Sequence, residues 1–466
     1  QYAFFDLNAA SPIANRVPSL PGLRGGLTYP NGAVQRADRN NFDPRLGIAY
    51  QLNAKTVIRA GAGLFTHPAP TGLDTSTGFA QRSTSVFAAA DNFTPLFNLQ
   101  NPFPSGPLQP TGSSLGLATA LGQNISAPLG TQRVSYSAQW SFDIQRQLPW
   151  GILVDLGYAA NTAVNLYTPT NTVNFNQLGP DAQALGSQLL QVVPNPFAGV
   201  ITDPTSLLSR PTVQRGQLLR PYPQFQNVFG NAIAAGHASY QAMQLKVERR
   251  FSQGLAVLFA YTRSKTIDNI GESLQAGGDI SGFMNSNCYA CDRSLSLQHI
   301  PDVVRFSLRY DLPFGSGRRF MNKGFAGRVI GGWSLGSFWS WDNGLPVRVS
   351  APNDSNSFGG GLNMRPNATG QPARLEGARV FQDGAPYFNA AAFSRPAPFT
   401  FGNVSRTLPD VRNPGTNNWD LLLEKRFTVT ERVGLDIRME MFNAFNLVNF
   451  AGPGTNLVSA DFGRLF

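Results

Sequence analysis

The chain has 466 residues, with 47 Gly, 34 Pro, 11% aromatic and only 14% charged residues, against about 25% charged in an average soluble protein. Its mean hydropathy is −0.16 and it contains no run of roughly 20 apolar residues, which excludes transmembrane helices but not a membrane barrel, whose alternating strands average to neutral hydropathy. The net charge of +10 suits anionic lipid head groups or an anionic ligand, whereas no basic helix, finger spacing or aromatic RNA-binding strand supports nucleic acid as a partner.

The opening Gln1-Tyr2-Ala3-Phe4-Phe5-Asp6 has no Met, no basic n-region and no apolar h-region. The expectation is a chain that begins inside a longer protein. Residues 1–43 are rich in Pro, Gly and Asn and read as an extracellular loop segment. The first hairpin follows, PRLGIAYQL (Pro44 to Leu52) and TVIRAGAGLF (Thr56 to Phe65), around a tight Asn53-Ala54-Lys55 turn. A long irregular stretch comes next, with short strands expected near Ser83 to Ala89.

The second hairpin has the clearest period of two. Val134, Tyr136, Ala138, Trp140, Phe142 and Ile144 alternate with Ser135, Ser137, Gln139, Ser141, Asp143 and Gln145. After Pro149-Trp150-Gly151, Ile152, Val154, Leu156 and Tyr158 share a face. In the third hairpin Met243, Leu245 and Val247 face one way and Gln244, Lys246, Glu248 and Arg250 the other, ahead of LAVLFAYTRS. The fourth pairs VVRFSLRYDLP with RVIGGWSLGSFWSW across the long connection PFGSGRRFMNKGFAG. The fifth pairs NWDLLLEKRFTV with ERVGLDIRMEM, joined at Thr430-Glu431. Asp461 to Phe466 reads as the first half of an eleventh strand.

Period-two alternation puts one face of each strand in oil and the other in water. Four of the five connections within hairpins are short, the fourth pair's being the long PFGSGRRFMNKGFAG, and connections between hairpins mostly run to tens of residues. This is the layout of an outer-membrane barrel, with short periplasmic turns and long extracellular loops. The expected fold is all-β, an antiparallel transmembrane β-barrel spanning 44–466. A lipid-facing Arg or Lys at the midplane costs about 2–4 kcal/mol. Lys425, Arg249 and Arg146 break the pattern, but at strand ends, where the cost is about 0–1 kcal/mol. A soluble sandwich or propeller also alternates, but gives no reason for long loops at one end only.

Several residues are candidates for sites. Cys288 and Cys291 form a CxxC in a long loop; an oxidising compartment favours a local disulfide over free thiols or metal. The polar strand faces carry Lys246, Glu248, Arg250, Arg305, Arg309, Asp311, Asp436, Arg438 and Glu440. These either line a solute path or neutralise one another along the lumen wall. Aromatic turns recur in the loops, giving Phe103, Phe197, Tyr222, Phe225, Tyr387 and Asn389. Rings beside amides suit stacking on sugars or peptides, or they staple the loops together. No Ser/His/Asp arrangement or carboxylate pair points to an enzyme, and no His pair has metal-ligand spacing, so neither metal nor cofactor is expected.

The segments NNFDPRLGIAYQL, YSAQWSFDIQRQLPWG, SYQAMQLKVERRFSQGL, AYTRSKTIDN, RYDLPFGSGRRF, GGWSLGSF, PYFNAAAFSRPAPFTFGN and RMEMFNAFNLVNF, in that order, resemble the C-terminal part of a TonB-dependent outer-membrane receptor. The branch is the one with a carboxypeptidase-regulatory-like domain before the plug. The resemblance implies part of a 22-stranded barrel that takes up a ligand with energy delivered through the TonB complex, among outer-membrane lipid and lipopolysaccharide. No plug, no TonB box and only about half the strands fall within the chain. Rival expectations are an adhesion or structural barrel without transport, and a secreted soluble glycan-binding β-protein.

Overall fold

The computed structural model describes every residue except 1–2, 31–39, 68–76, 81–94, 96–99, 102, 104–105, 108, 130–132, 170, 204, 271–281, 316–317, 322, 353–357, 359, 361–362, 377–380, 429–432 and 466. The short strands expected near Ser83 to Ala89 and the Thr430-Glu431 turn lie outside the described residues.

Ten strands form one continuous antiparallel sheet in simple sequence order. They are β1 (Arg45–Asn53), β2 (Thr56–His67), β3 (Ser135–Gln147), β4 (Ile152–Tyr167) and β5 (Ala234–Ser252). The second half comprises β6 (Leu255–Asp268), β7 (Asp302–Asp311), β8 (Trp333–Asp342), β9 (Asn417–Thr428) and β10 (Gly434–Met441). Among the described residues, β1 and β10 are the free edges of this sheet.

Directly paired residues in an antiparallel sheet point to the same face, so the register traces each face across the molecule. One rung runs Tyr50–Ile58–Ile144–Leu156–Leu245–Tyr261–Val304–Trp341. The next runs Arg146–Val154–Val247–Phe259–Phe306–Trp339–Trp419, with the last two rings stacked at 5.4 Å. Among the described residues nothing covers this apolar face, and Leu46, Trp140, Phe142, Met243 and Ile437 stand exposed on it. A soluble sandwich would need a second layer here. A surface this broad and apolar belongs against hydrocarbon, which rules out the soluble reading.

The central strands are long. At about 3.3 Å per residue, the 19 residues of β5 extend well beyond the roughly 9–11 residues that a tilted strand needs to cross the bilayer. Their upper ends therefore stand outside the membrane, at the end where the long loops emerge. β4, β5 and β6 each run further into those loops than the periodicity predicts, since hydrophobic alternation stops at the membrane surface while backbone pairing continues.

Two expected strand segments are corrected. Arg328–Ile330 is not the start of β8 but the last turn of a short helix, Gly324–Ile330, in the β7–β8 connection. Asp461 to Leu465 is not an eleventh barrel strand. It makes isolated bridges, Gly454 with Phe462 and Pro386 with Arg464. Leu465 is fully buried in a loop cluster with Val347, Val349, Tyr387 and Phe388, and an apolar pocket of this kind outweighs a strand too short to pair.

The buried core lies in these loops rather than between the strands. Residues 1–43, expected as loop, contain a hairpin, Phe4–Ala10 with Arg24–Thr28. It is separate from the barrel sheet. Phe5 and Leu27 pack there with Ile125, Tyr222, Phe225 and Val228. A second cluster gathers Ile13, Val17, Leu23, Phe197, Ile201 and Leu208. The long loops thus form a folded canopy. No helix among the described residues is long and apolar enough to cross a membrane.

Candidate functional site: the polar barrel face and the loop canopy

The polar face carries the charges expected of it, and most of them pair. Lys246 and Arg250 flank Glu248 at 2.7 and 3.5 Å. Arg305 reaches Asp342 at 3.9 Å. Asp311 meets Arg318 at 2.9 Å and Arg309 at 4.0 Å, and Arg426 meets Asp436 at 3.3 Å. Glu424 holds Arg309 at 3.8 Å and Arg438 at 3.9 Å. Arg309 crosses an entire strand to do this. It can because Ser334 and Gly336 occupy the intervening positions on β8. Solvated pairs of this kind contribute about 0–1 kcal/mol each, so the ladder's main effect is to keep the wall wet and nearly neutral. Sequence reasoning left out Arg59, which reaches Asp143 at 3.5 Å, and Glu424; both obey the same alternation. A hollow of about 360 Å³ opens beside Gly336, lined by Phe338, Leu422, Arg309, Asp420, Glu424 and Glu440.

Lys425 shows how a buried charge on the apolar face is tolerated. Its ammonium donates to the Val329 carbonyl at the end of the Gly324–Ile330 helix. It also lies 5.1 Å from the Trp333 ring centre and 4.7 Å from that of Phe427. A helix C-terminus and two aromatic faces are all favourable surroundings for a cation.

In the canopy, Cys288 and Cys291 are joined as a disulfide, with Cα atoms 5.4 Å apart. Immediately after them Asp292 forms a buried pair with Arg365, and its other oxygen accepts the Met284 N–H at 3.2 Å. A second buried pair, Asp268 with Arg406, ties the top of β6 to the 343–416 loop. Neither pair was legible in the sequence, because loop ion pairs leave no periodic trace. His299 is buried; its Nδ1 accepts the Thr266 N–H at 3.3 Å. Burial, with Arg412 and Lys265 nearby, pulls its pKa down to about 4.

The candidate ligand-binding aromatics are dispersed. Phe197, Tyr222, Phe225 and Tyr387 are all buried, in three separate clusters. Phe5 packs edge-on against Tyr222 at 5.3 Å and Phe225 at 5.7 Å. The Tyr387 hydroxyl donates to the Arg412 carbonyl at 2.6 Å. Asn389 caps the short helix Ala390–Ala392, accepting the Ala391 N–H at 3.1 Å. Phe103 is half-buried and joins none of these clusters. Of the two readings, the geometry supports the staple: rings already enclosed by protein present no face for stacking on a ligand.

An open hollow of about 490 Å³ does exist in the canopy, away from these rings. It is lined by Arg210, Arg220, Gln214, Gln217, Gln226, Asn227 and Phe358, with Val192, Leu207 and Val213 at its apolar side. Phe358 lies on Gly216, where a Cβ would sit 2.5 Å from the ring. Arg220 donates to the Gln226 carbonyl and, at 3.3 Å, to Asn227 Oδ1, while its Nε has no partner among the described residues. Burial lowers its pKa to about 10, still charged at neutral pH. The signal that sequence reasoning passed over was amide-rich chain (Gln214, Gln217, Gln226, Asn227) around two Arg.

The model of the outer membrane beta barrel domain family matches residues 1–466. The chain belongs to this outer-membrane β-barrel family. Its place is therefore the bacterial outer membrane, in agreement with the uncovered apolar face. Comparison with curated protein sequences gave no match. Among solved structures, the barrel is similar to the Pseudomonas aeruginosa receptor FpvA bound to heterologous pyoverdines, at 11% identity over 92% of this chain and 32% of that one, TM-score 0.35. It is also similar to the ferric-catecholate import receptor Fiu of Escherichia coli K12, at 9% identity over 90% and 32%, TM-score 0.34. A third is the FrpB iron transporter of Neisseria meningitidis, at 10% identity over 91% and 37%, TM-score 0.34. The chain spans about a third of the length of these proteins.

Proposed function

We propose that this barrel is the C-terminal part of a TonB-dependent receptor that takes up a ligand across the outer membrane. Further strands pair with the free edges of β1 and β10, since unpaired backbone in hydrocarbon costs several kcal/mol per group. The observation that carries the reading is the canopy hollow around Arg210 and Arg220. It lies among the long loops, and its volume falls within the usual range of small-molecule sites, about 300–1,000 Å³. Two guanidinium groups, the Gln214 amide and one ring favour an anionic, hydrogen-bonding ligand such as an acidic saccharide or acidic peptide. The charge ladder below it gives a wetted wall along which such a ligand passes. The role is binding and transport, not catalysis.

The test is uptake of labelled acidic oligosaccharides and acidic peptides by cells producing the receptor. The expected result is saturable uptake of one class, abolished by a protonophore and reduced at least tenfold by Arg220→Gln. Uptake that is unsaturable, or indifferent to the protonophore, contradicts the proposal.

A further inference from the structure

On the outer side of the barrel, at the top of β6, a second cleft of about 820 Å³ is lined by Arg263, Lys265, Arg293 and Arg412, with His299 behind them. The register assigns its direction. Arg263 pairs with Met243 and Lys265 with Gln241 on β5, and Tyr261 pairs with Leu245. Arg263 and Lys265 therefore continue the lipid-facing row of β6, two and four residues above Tyr261. The apolar part of that row, Val257, Phe259 and Tyr261, ends there. Counting from Leu255, the roughly 9–11 residues that cross the bilayer end at about the same place. The cleft sits where the outer leaflet's head groups lie.

Its charge is one-sided. Asp302 faces it from β7, holding Arg263 at 3.3 Å and the Tyr261 hydroxyl at 2.6 Å, and so offsets one cation. Arg412 donates to the His299 carbonyl at 3.0 Å. Lys265 and Arg293 are exposed and pair with no carboxylate among the described residues. Asp292, beside Arg293, is already consumed by Arg365. His299 stays neutral at pH 7: burial, with Arg412 and Lys265 nearby and Asp302 opposing them, pulls its pKa down to about 4.

Four cations against one carboxylate, on the wall of a barrel at head-group height, have a chemical complement at that depth. We propose that this cleft binds a phosphate group of an outer-leaflet glycolipid, with Lys265 and Arg293 as its principal ligands. The lipid's acyl chains then lie along Phe259, Phe306 and Val304. Phosphate held by Arg and Lys forms charge-assisted hydrogen bonds, and the site anchors the canopy's 290–301 segment to the membrane. The proposal rests on the membrane placement of the barrel but not on transport, so its failure and that of the uptake reading are distinguishable.

The experiment uses the protein purified from outer membranes in detergent and stripped of lipopolysaccharide. Binding of fluorescent diphosphorylated lipid A is measured for the parent, for Lys265→Gln/Arg293→Gln and for Lys265→Arg/Arg293→Lys. The account expects at least a tenfold weaker affinity in the first variant and near-parental affinity in the second, with weakening as salt rises. Dephosphorylated lipid A binds at least tenfold less well, and inorganic phosphate at matched concentration does not displace the lipid. Equal binding of the two lipids, or an unchanged neutralised variant, overturns the proposal. Full displacement by inorganic phosphate alone overturns the lipid as its source.

Discussion

At the residue scale, the canopy depends on a few buried charges. Replacing Asp292 by Asn leaves the Arg365 guanidinium buried beside the Cys291 carbonyl without its counter-charge. Breaking a buried pair in this way costs about 3–5 kcal/mol. Amide exchange in Gly282 to Ser296 should accelerate accordingly, and Asp292→Leu with Arg365→Met should restore much of the protection. His299 gives the canopy a pH dependence with a definite sign. Its folded pKa of about 4 lies below the unfolded value of about 6.5. The unfolded chain therefore binds the proton first, and the contribution is complete above pH 6.5 and lost as pH falls toward 4. Protease resistance of the 290–301 segment should fall over that window. In His299→Asn, whose side chain still accepts the Thr266 N–H, it should stay flat. An unchanged profile in the variant contradicts the assignment.

At the element scale, each strand separates two solvents. On β5, Leu245 lies mid-strand on the apolar face, in the rung of Leu156 and Tyr261, while its neighbour Lys246 sits in the charge ladder. Leu245→Arg should cost about 2–4 kcal/mol in folding into bilayers, whereas Lys246→Gln should cost no more than about 1 kcal/mol, the worth of an exposed pair. Denaturant titration of the refolded barrel measures both; equal costs would contradict the assigned faces. This separation was legible in the sequence, because water and hydrocarbon impose a period of two on every strand that crosses between them. The strand tops beyond the membrane were not, since both faces there meet water or loop. The Gly324–Ile330 helix was missed for a related reason: Arg328-Val329-Ile330 runs into the alternation of β8, while the Lys425 contact that holds the helix end comes from a strand about a hundred residues away.

At the scale of the whole molecule, the barrel and canopy are stabilised differently. The barrel contributes backbone pairing and a lipid-facing surface; the canopy holds most of the buried side chains. Composition announced the first through few charges and many aromatics. The second has no sequence signature, because it is assembled from contacts such as Phe5 on Phe225 and Asp268 on Arg406, more than a hundred residues apart. This is why the aromatic turns could be read both as a ligand platform and as staples until their burial was known. It is also why the canopy hollow and the basic cleft, each built from three or more separate segments, emerge only from the fold.

The most direct test of the account is the solvent seen by successive residues of one central strand. Spin labels placed singly at Met243 to Glu248, in the protein reconstituted in bilayers, report collision with oxygen dissolved in lipid and with a water-soluble nickel chelate. The native cysteines do not interfere, being joined to each other. The account predicts strict alternation, with 243, 245 and 247 oxygen-accessible and 244, 246 and 248 chelate-accessible. Uniform access to water along the strand would contradict the barrel's placement in the membrane and, with it, the head-group position proposed for the basic cleft.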